Sequence, residues 1–387
     1  MMKPLPFPYS RQSIEPSDIE AVVAALQSDF LTQGPRIPEF EARFAELHQA
    51  GEAIAVANAT AALHIACLAL DVGPGDLVWT APNSFLASAN CARYCGADID
   101  FVDIDPTTRN MSVAALASKL EIAEQQGRLP KVLIPIDFAG FPCDLREMRR
   151  LADQYGFSIL EDASHAVGAT RANRPVGSDF SDITVFSFHA VKIVTTAEGG
   201  ICTTHNPALA KRLRLLRSHG MTRDAGDMTG ISHGPWYYEQ ICLGYNYRIT
   251  ELQAALGLSQ LARMATMQRQ REDLTVRYDR LLAHLPLRLP ARSADCQSSH
   301  HLYAVEITDE RIDRRQVFEA LRDAGIGVNV HYIPIHLQPD FKQFGFQPGD
   351  FPASEAYYAR AISLPLFPAM TAEQQDYVVK ILSEALR

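Results

Sequence analysis

The chain has 387 residues, of which 47% are hydrophobic and 21% are charged. This length exceeds the usual size of one domain, and the composition is ordinary for a globular protein, so we predict one large and one smaller domain. The formal net charge of −9 argues against a nucleic-acid-binding surface and a polybasic membrane patch. The N-terminal segment, Met1–Tyr9, lacks the apolar region of a signal peptide, and no run approaches the roughly 18–20 apolar residues of a membrane span. We therefore predict a cytoplasmic protein.

Seven cysteines are scattered along the chain. Their odd number and the absence of a C-x-x-C pair predict reduced, mostly buried thiols rather than a disulfide framework. Cys91 and Cys95 lie close together, but no histidine or second cysteine pair stands at the spacing of a metal site, so we predict no metal. The seven are Cys67, Cys91, Cys95, Cys143, Cys202, Cys242 and Cys296.

Short β-rich segments alternate with helical patterns, such as Ala61–Leu70 and Asp144–Tyr155, in the first half of the chain. This alternation is typical of βαβ units, which build a mostly parallel sheet covered on both faces. The sequence therefore predicts an α/β fold, in which ligands bind beyond the carboxyl ends of the strands. The seven predicted strands are Ala53–Ala57, Leu77–Thr80, Ile99–Ile104, Val132–Ile136, Phe157–Leu160, Ile183–Ser187 and Ile201–Thr204.

The second half of the chain predicts a long helix followed by a smaller α+β region. The helical pattern begins at Thr250 and runs to about Leu285, where Pro286 ends it. We predict a large domain with an N-terminal arm over 1–250, a connecting helix over 251–285 and a small domain over 286–387. The small domain is predicted to contain a strand His301–Ile307, a helix Asp313–Ala324, a strand Ile326–Ile333 and a last helix that opens on the capping-box pair Thr371 and Gln374.

The common nucleotide-binding fingerprints, G-x-G-x-x-G and G-x-x-x-x-G-K-[ST], are absent from the sequence. A different phosphate site is indicated by Asn58–Leu63, directly after the first strand. Small polar residues at the start of a helix leave backbone N–H groups free for a phosphate. Taken alone, the segment is more typical of a plain N-cap formed by Asn58 or Thr60.

Two charged side chains follow strands at the same predicted edge. Asp162 ends one strand, where a carboxylate can keep a pyridine nitrogen protonated, although a lone strand-end aspartate is more often a turn former. Lys192 follows another strand in a segment with few charges. Desolvation there lowers the pKa of a lysine and makes its amine nucleophilic enough to form a Schiff base.

Together these segments resemble the DegT/DnrJ/EryC1/StrS sugar aminotransferases, a family of fold-type I pyridoxal-phosphate enzymes, over nearly the whole chain. The resemblance implies pyridoxal 5'-phosphate as cofactor. It implies Lys192 as the lysine that binds it covalently, Asp162 as the partner of its ring nitrogen, and Ser187, Ala59 and Thr60 as its phosphate site. One branch of the family has histidine in place of the lysine and performs dehydration; Lys192 favours transamination.

The same resemblance assigns three further residues to the cofactor. Phe85 matches an aromatic stacked on the ring, and His165 matches a position near the phenolic oxygen; a core phenylalanine and a buried histidine satisfied by its neighbours remain open alternatives. Asn246 matches an asparagine that reaches the phosphate of the neighbouring subunit, which implies a homodimer with shared active sites. A helix-capping role for Asn246 is the alternative.

Within the family, the chain is most similar to the aminotransferases of pseudaminic acid biosynthesis. The substrates that this similarity implies are L-glutamate and a UDP-linked 4-keto-6-deoxy-N-acetylhexosamine, UDP-2-acetamido-2,6-dideoxy-beta-L-arabino-hex-4-ulose. The sugar would be aminated at C4. Ala197, which is glycine in many relatives, adds to this similarity. The supporting segments are Tyr9–Gln12, Ser28–Pro35, Thr195–Gly200, Leu216–Met221, Gly234–Glu239 and Val330–Gln338.

The similarity implies a sugar-nucleotide site formed by an N-terminal tyrosine and two turns, with the loop Thr222–His233 near its entrance. Packing as ordinary loops is the alternative for each of these residues. A dTDP- or GDP-linked 4-keto or 3-keto sugar is the second candidate substrate, and a non-catalytic cofactor-binding regulator is a remote alternative. The implied substrate-binding residues are Tyr9, Asp29, Phe30, Leu31, Thr32, His331, Tyr332, Ile333 and Pro334.

Overall fold

A computed structural model describes residues 7–387 of the chain. Within that range, no helix is both long and apolar enough to cross a membrane. The α-helices are α1 (Pro16–Leu26), α2 (Arg36–His48), α3 (Ala59–Ala69), α4 (Ala87–Tyr94), α5 (Val113–Gln125), α6 (Leu145–Tyr155), α7 (Pro207–Arg217), α8 (Glu251–Leu282), α9 (Arg314–Asp323), α10 (Pro352–Arg360) and α11 (Ala372–Ala385).

The strands form one seven-stranded sheet and three small ones. The central sheet has the order β1-β9-β8-β5-β4-β2-β3, and only β9 runs antiparallel to its neighbours. The strands are β1 (Glu52–Val56), β2 (Leu77–Thr80), β3 (Asp98–Phe101), β4 (Val132–Ile134), β5 (Ser158–Asp162), β6 (Thr170–Arg171), β7 (Arg174–Pro175), β8 (Ile183–Ser187), β9 (Gly200–Thr204), β10 (Met221–Thr222), β11 (Glu239–Gln240), β12 (Leu287–Arg288), β13 (Cys296–Gln297), β14 (Tyr303–Ile307) and β15 (Ala361–Leu364).

The central sheet confirms the predicted α/β fold. All seven predicted strands are present in it, with ends that differ by up to three residues from the prediction. Their residues are buried on both faces of the sheet, as the continuous apolar runs of β4 and β8 predict. The strand predicted to reach Ile136 ends at Ile134, because Pro135 has no N–H to donate to a neighbouring strand.

Helix α8 connects the two main packing regions. Thr250 caps its first turn in a capping box with Gln253, which agrees with the predicted start. Met267 packs in a core beside the central sheet, whereas Leu274 and Tyr278 pack in a second core with the antiparallel sheet β12-β14-β15. The two cores agree with a large and a small unit, and the boundaries at 250 and 285 stay a prediction.

The strand predicted over Ile326–Ile333 is wrong. In its place the structure has two isolated bridges, one from Ile326 to Phe7 and one from Asn329 to Ser363. Gly327 comes so close to Phe7 and its neighbours that a Cβ there would lie 2.6 Å from a backbone atom. The segment therefore makes single contacts to different partners, and it ends in a turn that lies at the carboxyl edge of the central sheet.

Candidate active site

The carboxyl ends of the parallel strands open onto one cavity of about 990 Å³. The loops after β1, β2, β5 and β8 all line it, together with Tyr9 and the loop after Gly327. Ten of the predicted site residues lie on its wall, at the edge of the sheet where the sequence predicts the ligand. They are Tyr9, Ala59, Thr60, Phe85, Asp162, His165, Ser187, Lys192, His331 and Tyr332.

One end of the cavity is formed by the start of α3. The Asn58 side chain accepts a hydrogen bond from the N–H of Ala61 at 2.8 Å, so Asn58 is an N-cap as well as a wall of the cavity. Among residues 7–387, the N–H groups of Ala59 and Thr60 have no hydrogen-bond partner. Two free donors at the positive end of a helix dipole suit a phosphate group.

Glycine is required where β9 passes this helix start. A Cβ on Gly200 would lie 2.6 Å from the backbone nitrogen of Ala59, too close for any side chain. The close approach places Ser187, which pairs with Gly200 across the sheet, next to the first turn of α3. The hydroxyl of Ser187 thereby joins the free N–H groups on one wall.

Asp162 lies at the end of β5, and its residue is only 4% exposed. Ser88 donates a hydrogen bond of 2.6 Å to one carboxylate oxygen, and the N–H of Ser164 donates one of 3.1 Å to the other. These bonds fix the orientation of the carboxylate. Asp162 therefore forms a turn bond to Ser164, as the alternative interpretation of a strand-end aspartate predicted, and it also lines the cavity as a fixed, buried carboxylate.

The side-chain amine on the cavity wall belongs to Lys192. Burial lowers its pKa from the ordinary lysine value to about 8, although the negative charge of Asp162 acts in the opposite direction. Its own N–H donates to the carbonyl of His189 at 2.9 Å, which holds the loop that presents it. Of the cavity-lining residues between 7 and 387, Lys192 is the only lysine or arginine.

A network of neutral groups lies beside Lys192. Burial, the charge of Lys192 and the neighbouring His331 keep the pKa of His165 well below its ordinary value. The N–H of Ala139 donates to Nδ1 of His165 at 3.3 Å, so the imidazole proton is on Nε2. Nε2 then donates to the hydroxyl of Tyr332 at 3.1 Å, which leaves the Tyr332 proton free to be donated elsewhere.

His301, Asn329 and His189 also line the cavity and were missed by the sequence analysis. The ring of His301 lies 4.4 Å from that of His165, centroid to centroid. His301 stands two residues before β14, and no neighbouring motif marks it as different from the start of a strand. Only the three-dimensional contact with His165 identifies it.

Seven of the predicted site residues do not line the cavity of their own chain. Asn246 is exposed, and the turn from Asp29 to Thr32 lies on the surface, with Phe30 about half exposed. The side chain of Ile333 also faces outward, and Pro334 is buried before a short 3-10 helix. The seven are Asp29, Phe30, Leu31, Thr32, Asn246, Ile333 and Pro334.

The backbone conformation at Ala197 is one that glycine adopts more easily than alanine. Its φ is +66°, in the left-handed region that costs an alanine about 1–2 kcal/mol. We expect Ala197→Gly to raise the free energy of unfolding by about 0.5 kcal/mol, because relief of this cost exceeds the added backbone entropy of the unfolded chain. Ala190→Gly, in the same loop without a positive φ, is the matched control and should lower it. Urea unfolding of the two variants tests the difference, and equal signs would contradict it.

A mostly parallel sheet whose strand ends present a half-buried lysine, a fixed carboxylate and the free N–H groups of a helix start is typical of the fold-type I transferases that depend on pyridoxal phosphate. The chain belongs to the DegT/DnrJ/EryC1/StrS aminotransferase family, whose sequence profile matches residues 12–383. It is therefore a sugar aminotransferase that uses pyridoxal phosphate.

Two solved structures and one curated relative illustrate the family. PseC of Helicobacter pylori, described as an aminotransferase involved in the biosynthesis of pseudoaminic acid, has a TM-score of 0.89 and 30% identity, with 98% of this chain and 99% of PseC covered. Spr1654 of Streptococcus pneumoniae, described as a candidate sugar aminotransferase and solved with both cofactor forms, has a TM-score of 0.89 in its PMP form, with 31% identity and 98% of each chain covered. SpsC of Bacillus subtilis strain 168, a spore coat polysaccharide biosynthesis protein, is 38% identical over 98% of this chain and 97% of its own length.

The described residues fit the cofactor that this family uses. Unpartnered N–H groups lie at Ala59 and Thr60, a held carboxylate at Asp162 and an amine of lowered pKa at Lys192, all on one cavity wall. Within residues 7–387, no group of three or more His, Cys, Asp or Glu side chains could hold a metal ion.

Proposed function

We propose that the protein transfers the amino group of L-glutamate to C4 of a UDP-linked 4-keto-6-deoxy-N-acetylhexosamine, the step named above for pseudaminic acid biosynthesis. The observation that carries the transferase chemistry is the single cavity lined by both Lys192 and Asp162. The similarity to PseC over nearly the whole of both chains supports the choice of sugar.

In this proposal the cofactor phosphate binds the free N–H groups of Ala59 and Thr60 and the hydroxyl of Ser187. The carboxylate of Asp162, oriented by Ser88 and Ser164, would pair with the pyridine nitrogen, and its negative charge would favour the protonated ring. When bound, the cofactor supplies an electron sink for the reacting carbon.

The amine of Lys192 would hold the cofactor covalently and, when free, would move the proton at the reacting carbon. The pKa of this amine, about 8, is close to neutral pH, and a group with such a pKa can both accept and return a proton. No other lysine or arginine of the described cavity wall can replace it.

Phe85 and the pair of His165 and Tyr332 position the ring in this account. Phe85 lines the cavity and is 60% exposed. Its ring is therefore free to stack on the cofactor ring. His165 donates to Tyr332 and so turns the Tyr332 proton towards the cavity. Tyr332 can therefore donate a hydrogen bond to an oxygen of the cofactor or of the sugar.

For the sugar nucleotide, Tyr9 and His331 offer polar groups on the cavity wall, with ring centroids 5.7 Å apart. His331 is held by the hydroxyl of Ser363, 2.7 Å from its Nδ1. The turn Asp29–Thr32 and the residues Ile333 and Pro334 remain predicted sugar-nucleotide contacts, which require a ligand or a second subunit to complete them.

A homodimer with shared active sites is part of the proposal. Asn246 is exposed and does not reach the cavity of its own chain, which agrees with a contact to the partner's cofactor. Leu243 and Trp236 are 76% and 71% exposed, and apolar side chains of this size favour burial against another protein surface.

Complementation between two inactive variants tests this assembly. Lys192→Ala and Asn246→Asp should each have little activity alone. When the two are refolded together, one of the two sites of each mixed dimer has both an intact Lys192 and an intact Asn246, so about a quarter of all sites should recover. A matched mixture of Lys192→Ala with Asp162→Asn, two residues of one chain's site, should recover none. Absence of recovery in the first mixture would contradict a site shared through Asn246.

The substrate is tested by a panel of keto sugar nucleotides with L-glutamate as amino donor. We expect the UDP-linked 4-keto-6-deoxy-N-acetylhexosamine to give the highest kcat/KM, with NMR showing nitrogen on C4 of the product. SpsC, the 38% identical relative, is named for a different product, spore coat polysaccharide. The competing substrates are the dTDP- and GDP-linked keto sugars of the sequence-based alternative. A higher kcat/KM for one of these would contradict the proposed sugar and leave the transferase class in place.

A further inference from the structure

His301 is a buried histidine whose ring lacks partners. Its residue is 4% exposed, yet Nδ1 is enclosed without a hydrogen bond and Nε2 makes none to any residue between 7 and 387. The backbone of His301 is fixed at both ends: its N–H donates to Ala139 at 2.9 Å, and its carbonyl accepts from Arg271 at 3.4 Å. A ring held so firmly and left unpaired is costly unless a ligand supplies the missing bond.

The geometry decides which nitrogen carries the proton. A buried N–H without an acceptor is more costly than a lone pair without a donor, so Nδ1 of His301 is the unprotonated nitrogen and Nε2 carries the hydrogen. Because His301 lines the cavity and its Nδ1 is enclosed, Nε2 is the ring nitrogen that a ligand in the cavity can contact. Burial and the nearby charges of Lys192 and Arg271 keep the pKa of His301 well below its ordinary value, so the ring is a neutral donor.

Behind His301 lies an arginine that has no anionic partner. Arg271 is 1% exposed and forms no salt bridge with any described residue. Within residues 7–387, its guanidinium donates only to the carbonyls of His300, His301 and Leu366. A buried positive charge without a counter-ion creates a positive potential on this side of the cavity, which favours an anionic group there.

We infer that His301 binds the carboxylate of the amino donor through Nε2–H, with Arg271 supplying the positive field behind it. This inference rests on the proposed function. The carbon that exchanges its proton with Lys192 also bears the carboxylate of an α-amino acid, so this anion must lie near Lys192. The described cavity wall holds no arginine for it. The keto sugar has a neutral ring carbon at the corresponding place, so His301 distinguishes the two substrates.

The two half-reactions of the holoenzyme test this role separately through the absorbance of the cofactor. For His301→Leu, we expect the L-glutamate concentration that gives half the maximal rate to rise about 10- to 100-fold, the loss of one hydrogen bond to a charged group. The concentration of the UDP-linked keto sugar that gives half the maximal rate, measured with the aminated form of the cofactor, should change less than about 2-fold. His300→Leu is the matched control, because His300 is the adjacent histidine and does not line the cavity.

Two amide variants keep the test decisive if the leucine variant does not fold. His301→Gln places an N–H near the position of Nε2 and should keep most of the affinity for L-glutamate, whereas His301→Asn places it near Nδ1 and should not. Equal losses in both half-reactions, a loss for the sugar alone, or no loss would overturn the inference. Since the first half-reaction needs no sugar, a wrong sugar assignment would appear only as failure of the second half-reaction in the wild-type enzyme.

Discussion

Replacement of Lys192 by alanine is expected to lower kcat by at least about 10⁴-fold, because the covalent and proton-transfer roles are lost together. The cofactor should still bind, since the N–H groups at the start of α3, Ser187 and Asp162 remain in place. Steady-state transamination and the amount of bound cofactor after dialysis are the two measurements.

Lys192→Arg is the matched variant for this prediction. It keeps a positive charge in the cavity but cannot form the covalent bond or accept a proton near neutral pH, because the pKa of arginine is above 12. We expect it to be as inactive as Lys192→Ala. Turnover by either variant within about 100-fold of the wild-type rate would show that another group performs the proton transfer.

Replacement of Asp162 by asparagine is expected to lower kcat by about 10²- to 10³-fold. The shape of the side chain is kept, but the negative charge that holds the ring nitrogen in its protonated form is removed. The first half-reaction with L-glutamate is the direct measurement, because it requires the electron sink and needs no sugar. The absorbance of the bound cofactor should also change its dependence on pH.

Ser88→Ala separates the charge of Asp162 from its orientation. This variant removes the 2.6 Å hydrogen bond to the carboxylate and keeps the charge, so a loss of only about 10-fold is expected. If Asp162→Asn and Ser88→Ala lose the same amount, orientation accounts for the whole effect. An Asp162→Asn variant with nearly wild-type activity would exclude Asp162 as the partner of the ring nitrogen.

Local patterns explain why much of the fold and the centre of the site could be predicted. The strands of the central sheet are short apolar runs between helical patterns, and their carboxyl ends bring residues distant in sequence to one edge. The places of Asp162 at the end of β5 and of Lys192 after β8 could therefore be predicted. The family resemblance supplied their chemical roles, because a charge after a strand does not define a cofactor.

Other features depend on contacts that the local sequence does not show. The segment Ile326–Ile333 has the composition of a strand, but its partners are single residues, among them Phe7 and Ser363. His301 was missed because its distinguishing feature is an unpaired ring beside His165 and Arg271. Asn246 and the turn Asp29–Thr32 are exposed in the isolated chain, so their predicted roles depend on a partner that one sequence does not reveal.

The proposed chemistry requires one amine, that of Lys192, to carry the cofactor next to Asp162. Borohydride reduction of the holoenzyme, followed by proteolysis and mass spectrometry, tests it directly, because reduction fixes the cofactor to the lysine that holds it. We expect the added mass on Lys192 alone, and no label after L-glutamate has first converted the cofactor to its amine form. A label on another lysine, or none in the untreated holoenzyme, would contradict the assignment.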